Sequence, residues 1–318
     1  MKISILIPVN DYDIVALVHS MREGMSQVRE FCEILIGDDG SSEDFRKKYR
    51  QLAGDDLKVI SSEKNIGRAA IRNKLIDQAT GDYLLFIDAD AMIRGTAEDY
   101  LGRWVENLSL GKVICGGILY KDTSPGDPDK YLRWNYGRHK EQKKASERNK
   151  NPNASFSTFN VLIAREVFSK LRFYEELRQY GYEDILLSYQ LKKAGIDIVH
   201  IDNGLVHEGL ETNREFLTKT KSGIENLSKL YDHVTDKKTF TSTVSLLNLF
   251  LWLRRFHVTR IIAGFFIKYR EKMEIRLEST KASLKLFKLY KISMFCTYRE
   301  IHRRRKILPI FNIPPEII

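Results

Sequence analysis

The chain has 318 residues, 43% of them apolar and 30% charged, which excludes a disordered protein and leaves room for one large domain, or for one of roughly 230 residues with an appendage. Its net charge of +10 is unevenly placed: residues 240–318 carry 16 Lys and Arg against 5 Asp and Glu, while residues 1–239 carry 36 against 37. Cys32, Cys115 and Cys296 lie too far apart for a disulfide framework or a metal spacing, so a reducing compartment is expected.

The opening MKISILIPVND holds one lysine and a short apolar run, which does not read as a signal peptide. ISILIPV (3–9) and FCEILIG (31–37) read as β-strands, and the apolar spacing of YDIVALVHSMREGM between them suits a helix. LKVISS (57–62) and DYLLFID (82–88) predict two more strands flanking a helical IGRAAIRNKLIDQA. Strands alternating with helices imply a parallel sheet covered on both faces, with ligands beyond the carboxyl ends of its strands.

Three acidic segments fall at those ends: VND after the first strand, GDDGSS after the second and DAD after the fourth. One such cluster reads as ordinary turn chemistry; three together point to a site in one shared crevice. In GDDGSS, Gly40 permits a positive φ, and Ser41 or Ser42 can cap a helix from Glu43. That local chemistry does not require both Asp38 and Asp39, so at least one carboxylate is expected to face a ligand.

KVICGGILY (112–120) predicts another strand. The charged RHKEQKKASERNKNPNA (138–154) reads as a long loop, either a mobile functional element or disordered. FSTFNVLIAREVF returns to ordered structure. ELRQYGYEDILLSYQLKKAG becomes helical from Glu183, placing Glu183 and Asp184 in a first turn, where the helix dipole favours carboxylates. IDIVHID (196–202) reads as a late strand followed by His207. A lone histidine there is either a surface residue or a ligand. Residues 239–253 lack charge over 15 positions, fewer than the ~20 apolar residues a bilayer span needs.

SILIPVN (4–10), IGDDGSSED (36–44), NIGRAAIRNKLIDQATGDYLLFIDAD (65–90), FNVLIAREVF (159–168), YGYEDILLSYQLKKAG (180–195) and VHEG (206–209) together resemble the inverting glycosyltransferases of family 2, in order and spacing, over roughly residues 1–230. The resemblance implies a GT-A fold, an α/β architecture with a mostly parallel central sheet, in a domain spanning residues 1–235, with a largely helical extension over 240–318. It implies that Pro8, Val9, Asn10, Asp39, Asn65, Gly67, Arg68, Arg72 and Asp88 border the nucleotide of a nucleotide-sugar donor, most commonly a UDP-sugar in such enzymes. It also implies that Asp90, Asp88 and His207 hold a divalent ion, Mn2+ or Mg2+. Asp184 then corresponds to the catalytic base, paired with Glu183. Asn160, Tyr180 and Tyr182, with Phe156 and Phe159, become candidate contacts for a glycan or lipid-linked acceptor. The Q-x-x-R-W motif of processive synthases is missing after the E-D helix: KYLRW (130–134) has lysine at the Gln position and precedes it. A non-processive enzyme is expected.

Residues 240–306 read as helical. Lys281, Lys285, Lys288 and Lys291 fall along one face, Leu286, Phe287, Tyr290 and Met294 along another, and HRRRK (302–306) forms a basic cluster. Such helices either pack on the catalytic domain or lie on an anionic membrane surface. The expectation is a cytoplasmic enzyme, peripheral on the inner face of the plasma membrane. The alternative is a basic nucleic-acid- or membrane-surface-binding protein on an inactive scaffold of the same kind. No helix-turn-helix, zinc-finger or RNA-recognition signature supports nucleic acid as a partner.

Overall fold

The computed structural model describes residues 1–176, 181–280 and 282–304. Its first half runs β1 (Ile3–Val9), α1 (Val15–Gln27), β2 (Phe31–Asp38), α2 (Glu43–Leu52), β3 (Leu57–Ser61), α3 (Arg68–Gln78), β4 (Tyr83–Ile87), β5 (Ala91–Met92), α4 (Ala97–Glu106), β6 (Val113–Cys115), β7 (Ile118–Leu119), α5 (Tyr131–Tyr136) and α6 (Ala145–Arg148). There follow β8 (Asn160–Ala164), α7 (Glu183–Lys193), β9 (Ile198–His200), β10 (Leu205–His207) and five further helices, α8 (Asn213–His233), α9 (Lys237–Thr243), α10 (Ser245–Arg255), α11 (Thr259–Glu278) and α12 (Leu284–Arg304). By compactness the chain divides into two units. One comprises Met1–Tyr120, Glu141–Arg178 and Gln190–Gly209, the other Lys121–Lys140, Gln179–Tyr189 and Leu210–Ile318, a division that does not coincide with a boundary at 235–240.

The first unit is built on a sheet of seven strands in the order β3-β2-β1-β4-β8-β6-β9. Every pairing is parallel except those of β8, which runs antiparallel to both β4 and β6. Asn160, the first residue of β8, lies opposite Ile87, the last of β4. The strand therefore enters the sheet from its carboxyl edge and has to run the other way. Both faces are buried, as the near-continuous apolar strands require. Ile3, Ile5, Ile7, Ile34, Ile36, Leu85 and Ile87 pack towards one side with Leu17, Val18, Met21, Leu101 and Trp104 of α1 and α4. On the other side Gly37 lets α3 close in, since a Cβ there would lie 2.9 Å from side-chain carbons of Ile71 and Leu75, and Phe86 meets Phe168 and Phe173 edge-on.

A second sheet, β5-β10-β7, crosses near the end of β4. Its antiparallel register sets His207 opposite Ala91, the residue after Asp90.

The stretch 138–154, expected as a loop, is ordered by a buried arginine. Arg148 is buried and donates to the carbonyls of Lys143, Cys115, Gly116 and Ile201 and to His200 Nδ1. Asn149 pairs in both directions with the backbone of His200. Charge composition alone suggested solvent exposure; the guanidinium instead gathers carbonyls that would otherwise be orphaned.

In the second unit α11 and α8 pack on α12, through contacts such as Phe266 with Tyr290 and Phe250 of α10 with Phe295. The expected helical character of the C-terminal region holds. Its amphipathic split is present on α12, where Lys285 and Lys288 are exposed and Phe287, Tyr290 and Met294 are buried; Lys291 departs from it, donating to the Tyr136 hydroxyl and lying over the rings of Tyr136 and Phe287. Lys281 lies outside the described residues, as do the side chains of 302–306. No helix among the described residues is long and apolar enough to cross a membrane.

Candidate active site

The carboxyl ends of β1 and β2 are laced together. Asp39 N–H donates to the Val9 carbonyl and the Asn10 side chain donates to the Asp39 carbonyl. Asp11, at a left-handed φ of 46°, accepts from the amide and hydroxyl of Ser42, and these bonds hold its carboxyl below the usual range, the backbone bond first. Ser42 stands at the N-cap of α2, yet its hydroxyl serves Asp11 and not the helix. Pro8 is half-buried, Val9 buried and Asn10 exposed at this edge.

The expectation of a free carboxylate in the Asp38–Asp39 pair is not met. Asp38 is fully buried, accepts from Ser41 N–H and lies 3.4 Å from Arg46 Nε. Asp39, only 4% exposed, accepts from Ile66 N–H at 2.7 Å and Gly67 N–H at 3.0 Å. Both acids thus organise backbone. Gly40 is required here: its φ is 74°, and a Cβ would lie 2.3 Å from the Lys64 carbonyl carbon. Gly67, at φ 96°, opens α3 beside exposed Asn65 and Arg68.

Arg72 also differs from expectation. It is 2% exposed, and its guanidinium binds Asp88 Oδ1 at 2.8 Å and lies over Phe173. Asp88 is anchored again where its N–H donates to the Phe159 carbonyl. Arg72 therefore steadies the first acid of DAD from behind.

The second acid faces another way. Asp90 Oδ2 lies 3.3 Å from His207 Nε2, and Glu208 N–H donates to the Asp90 carbonyl. Burial pushes the Asp90 carboxyl up, but the bond and charge of His207, followed by the charge of Arg68, outweigh it and hold the group below the usual carboxylate range. The His207 ring packs between Tyr120 and Phe159, and its buried Nδ1 has no hydrogen-bond partner among the described residues. Gly209 completes the arrangement, because a Cβ there would lie 2.4 Å from Asp90 Oδ2.

Two ligands on one cation at about 2.1 Å are separated by roughly 3.0–3.4 Å for octahedral to tetrahedral angles. The Asp90–His207 spacing falls within that interval. The described residues contain no group of three or more His, Cys, Asp and Glu placed to share an ion. Asp88 is turned onto Arg72.

A cavity of about 730 Å³ opens beside Asp90. Its walls include Tyr12, Ser20, Asp90, Thr96 and Glu208, whereas Asp39 lies beneath the neighbouring Lys64–Gly67 loop and does not line it. Tyr12 and Glu208 are the residues sequence reasoning missed: both sit directly after or inside the VND and VHEG motifs, which was the available signal. Burial, then the charges of Asp90, Glu208 and Asp13, push the Tyr12 phenol up.

Asn160 is not available to an acceptor. Its Oδ1 accepts from Tyr100, its Nδ2 donates to the carbonyls of Gly117 and Asn203, and the side chain is buried. Phe156 and Phe159 are buried too. In the second unit, Glu183 and Asp184 occupy the first turn of α7, Glu183 buried and Asp184 half-exposed. Tyr182 precedes them at a left-handed φ of 74°, its phenol pushed up by burial. Tyr180 lies outside the described residues.

The family model described as Glycosyl transferase family 2 matches residues 4–172. The poly(ribitol-phosphate) beta-glucosyltransferase of Bacillus spizizenii is 32% identical over 146 residues, 39% of this chain and 22% of that protein. An uncharacterized glycosyltransferase of Rickettsia bellii is 32% identical over 89 residues, 28% of this chain and 13% of that protein. The matches thus span under a quarter of either relative's length. Among solved structures, a mannosyltransferase from Pyrobaculum calidifontis in complex with GDP-Man and Mn2+ gives a TM-score of 0.51 at 11% identity, covering 96% of this chain and 87% of that one. GalNAc-T7 with UDP, GalNAc and Mn2+ also gives 0.51, at 15% identity, covering 74% and 48%. These likenesses establish a shared fold, the GT-A arrangement.

Proposed function

The chain belongs to glycosyl transferase family 2, and from that premise we propose that it moves one sugar from a nucleoside-diphosphate donor to a hydroxyl of a glycan or lipid-linked acceptor, inverting the anomeric carbon. The observation that carries this reading is the Asp90 carboxylate set 3.3 Å from His207 Nε2 at the edge of a cavity. Asp90 and His207 hold a divalent cation, Mn2+ or Mg2+, which when bound neutralises charge growing on the departing diphosphate. The Mn2+ in the Pyrobaculum and GalNAc-T7 complexes is consistent with that choice. Arg72 fixes Asp88, and Arg68 lends positive charge to the same edge. Pro8, Val9, Asn10, Asn65 and Gly67 border the nucleoside, with Asp39 bracing the loop that carries the last two.

Asp184 acts as general base. It takes the proton of the acceptor hydroxyl as that oxygen bonds to the anomeric carbon and the bond from carbon to phosphate oxygen breaks, releasing the nucleoside diphosphate. Glu183, buried beside it, keeps the turn in place. A UDP-sugar is the proposed donor, and the Bacillus relative's name is consistent with glucose and a polyol-phosphate hydroxyl. An inactive basic scaffold is not favoured, because the acids and the histidine of the proposed site are all in place.

The test is Asp184→Asn. It should bind nucleotide sugar with Mn2+ as tightly as wild type in calorimetry while transfer falls by about 10²–10⁴-fold. Undiminished transfer rejects Asp184 as base, and no nucleotide-sugar binding by the wild-type protein rejects the donor class.

A further inference from the structure

α11 buries one apolar stripe and exposes, on the opposite face, a mixture of large apolar residues and lysines. Ala263, Phe266, Met273 and Leu277 are buried, while Ile261, Phe265, Lys268, Lys272 and Ile275, at spacings of i, i+4, i+7, i+11 and i+14, stand exposed. At the adjoining end of α10, Trp252 and Phe256 are 58% and 57% exposed, their rings 4.9 Å apart. His257, at a left-handed φ of 59°, turns the chain from one helix into the next. Among the described residues, six of the eleven exposed large apolar side chains fall within residues 252–275. Solvent-facing clusters of this kind mark an interaction surface.

Charge identifies the partner. Residues 237–270 contain seven Lys and Arg and no Asp or Glu. Arg254, Arg255, Arg260 and Lys268 are exposed around the aromatic corner. We propose that the α10–α11 corner docks on an anionic lipid surface, with Trp252, Phe256, Ile261 and Phe265 entering the headgroup–acyl boundary and the arginines and lysines meeting lipid phosphates. Tryptophan and basic residues flanking an apolar helix face suit that boundary, where neither bulk water nor hydrocarbon satisfies both ends of the side chains. A second copy of the chain fits less well, since an isologous contact would oppose two like-charged rims. Nucleic acid would leave the apolar stripe without a counterpart. The surface replaces the α12 lysine face as the candidate membrane element, because the apolar residues behind those lysines are already buried.

This proposal is independent of the transfer reaction and is read without it. The full chain is sedimented with vesicles of phosphatidylcholine alone or mixed with phosphatidylglycerol, at low and high salt, alongside Trp252→Ser/Phe256→Ser and Arg254→Gln/Arg255→Gln. All four positions are exposed, so both variants should keep the wild-type melting curve. Wild type should bind only the anionic vesicles at low salt. The arginine pair should lower partitioning about tenfold or more, each basic residue near such a surface contributing several-fold, the aromatic pair should likewise lower sedimentation with the anionic vesicles about tenfold or more, and brominated lipid should quench the tryptophan emission of the wild type. Absence of binding, equal binding to neutral vesicles, or binding untouched by either variant overturns the proposal. So does a wild-type dimer in sedimentation equilibrium that the aromatic variant disperses, which would assign the face to a second copy.

Discussion

At the residue scale, the polar groups of the site divide by whether their bonding capacity is already used. Asn160 is the sharpest case: three bonds, to Tyr100, Gly117 and Asn203, leave it nothing to offer a sugar. Asn160→Ala strands the buried Tyr100 hydroxyl and the Asn203 carbonyl, while the Gly117 carbonyl keeps the Leu205 N–H, so the expected loss in urea unfolding is on the order of 3 kcal/mol. Unchanged stability with a raised acceptor KM would instead return Asn160 to an acceptor role. The same accounting explains what the sequence could tell. Asp90 and His207 were marked by the motifs that carry them, and they do lie together. Asp39 and Arg72 matched the motif equally well but are occupied by Ile66, Gly67 and Asp88. No spacing rule reveals that, because the partners arrive from other segments of the chain.

At the scale of elements, the site depends on β10 being pinned beside the end of β4. Sequence pattern located the long strands of the parallel sheet well, since short runs as rich in Ile, Leu and Val as ISILIPV and FCEILIG, each followed by turn residues, have few other uses. Two- and three-residue strands such as β5 and β10 have no period to detect, yet their pairing sets His207 opposite Ala91. Gly209→Ala tests that junction. Its new methyl must displace the Asp90 carboxylate, so divalent-dependent transfer should weaken by about tenfold or more, read from Mn2+ titrations, while the melting temperature changes little. A second element-level device is the Arg148–His200 clasp that orders residues 141–152. Burial, then the hydrogen bond to the Pro152 carbonyl acting the other way, then the Arg148 charge, bring the His200 imidazole from 6.5 down to about 4. The folded state therefore keeps His200 neutral where the unfolded chain protonates it. Between about pH 6.5 and 4 the unfolded state binds more protons, so this contribution is intact above pH 6.5 and is lost as pH falls, on the order of 3 kcal/mol by pH 4. Urea midpoints at pH 7 and pH 5 should drop more steeply for wild type than for His200→Gln; parallel slopes would show that the clasp is not the source.

At the scale of the whole molecule, the sequence suggested a catalytic domain ending near residue 235 with an appended basic tail, a division drawn from the reach of the family resemblance and from charge. Charge follows solvent and partners, whereas compactness follows buried contacts, and the two need not share a boundary. The second unit takes in residues 121–140 and 179–189 along with everything from Leu210 onward. Its internal bonds cross the proposed cut repeatedly: Arg299 clamps Asp232 through two nitrogens, Lys291 meets Tyr136, and Phe287 packs on Phe216. A chain ending at residue 235 would therefore strip α5 and α8 of the helices that cover them, exposing Leu227, Leu230 and Tyr231, all buried in the full chain. Asp232 and Tyr136 would lose their basic partners at the same time. The truncated chain should accumulate as aggregate, or as a species with a broadened, lower melt and without the sharp near-ultraviolet signal of packed aromatics. A monomeric 1–235 fragment that melts cooperatively and turns over nucleotide sugar at the full-length rate would show that α9–α12 are a dispensable appendage, and that the charge-drawn boundary was the physical one.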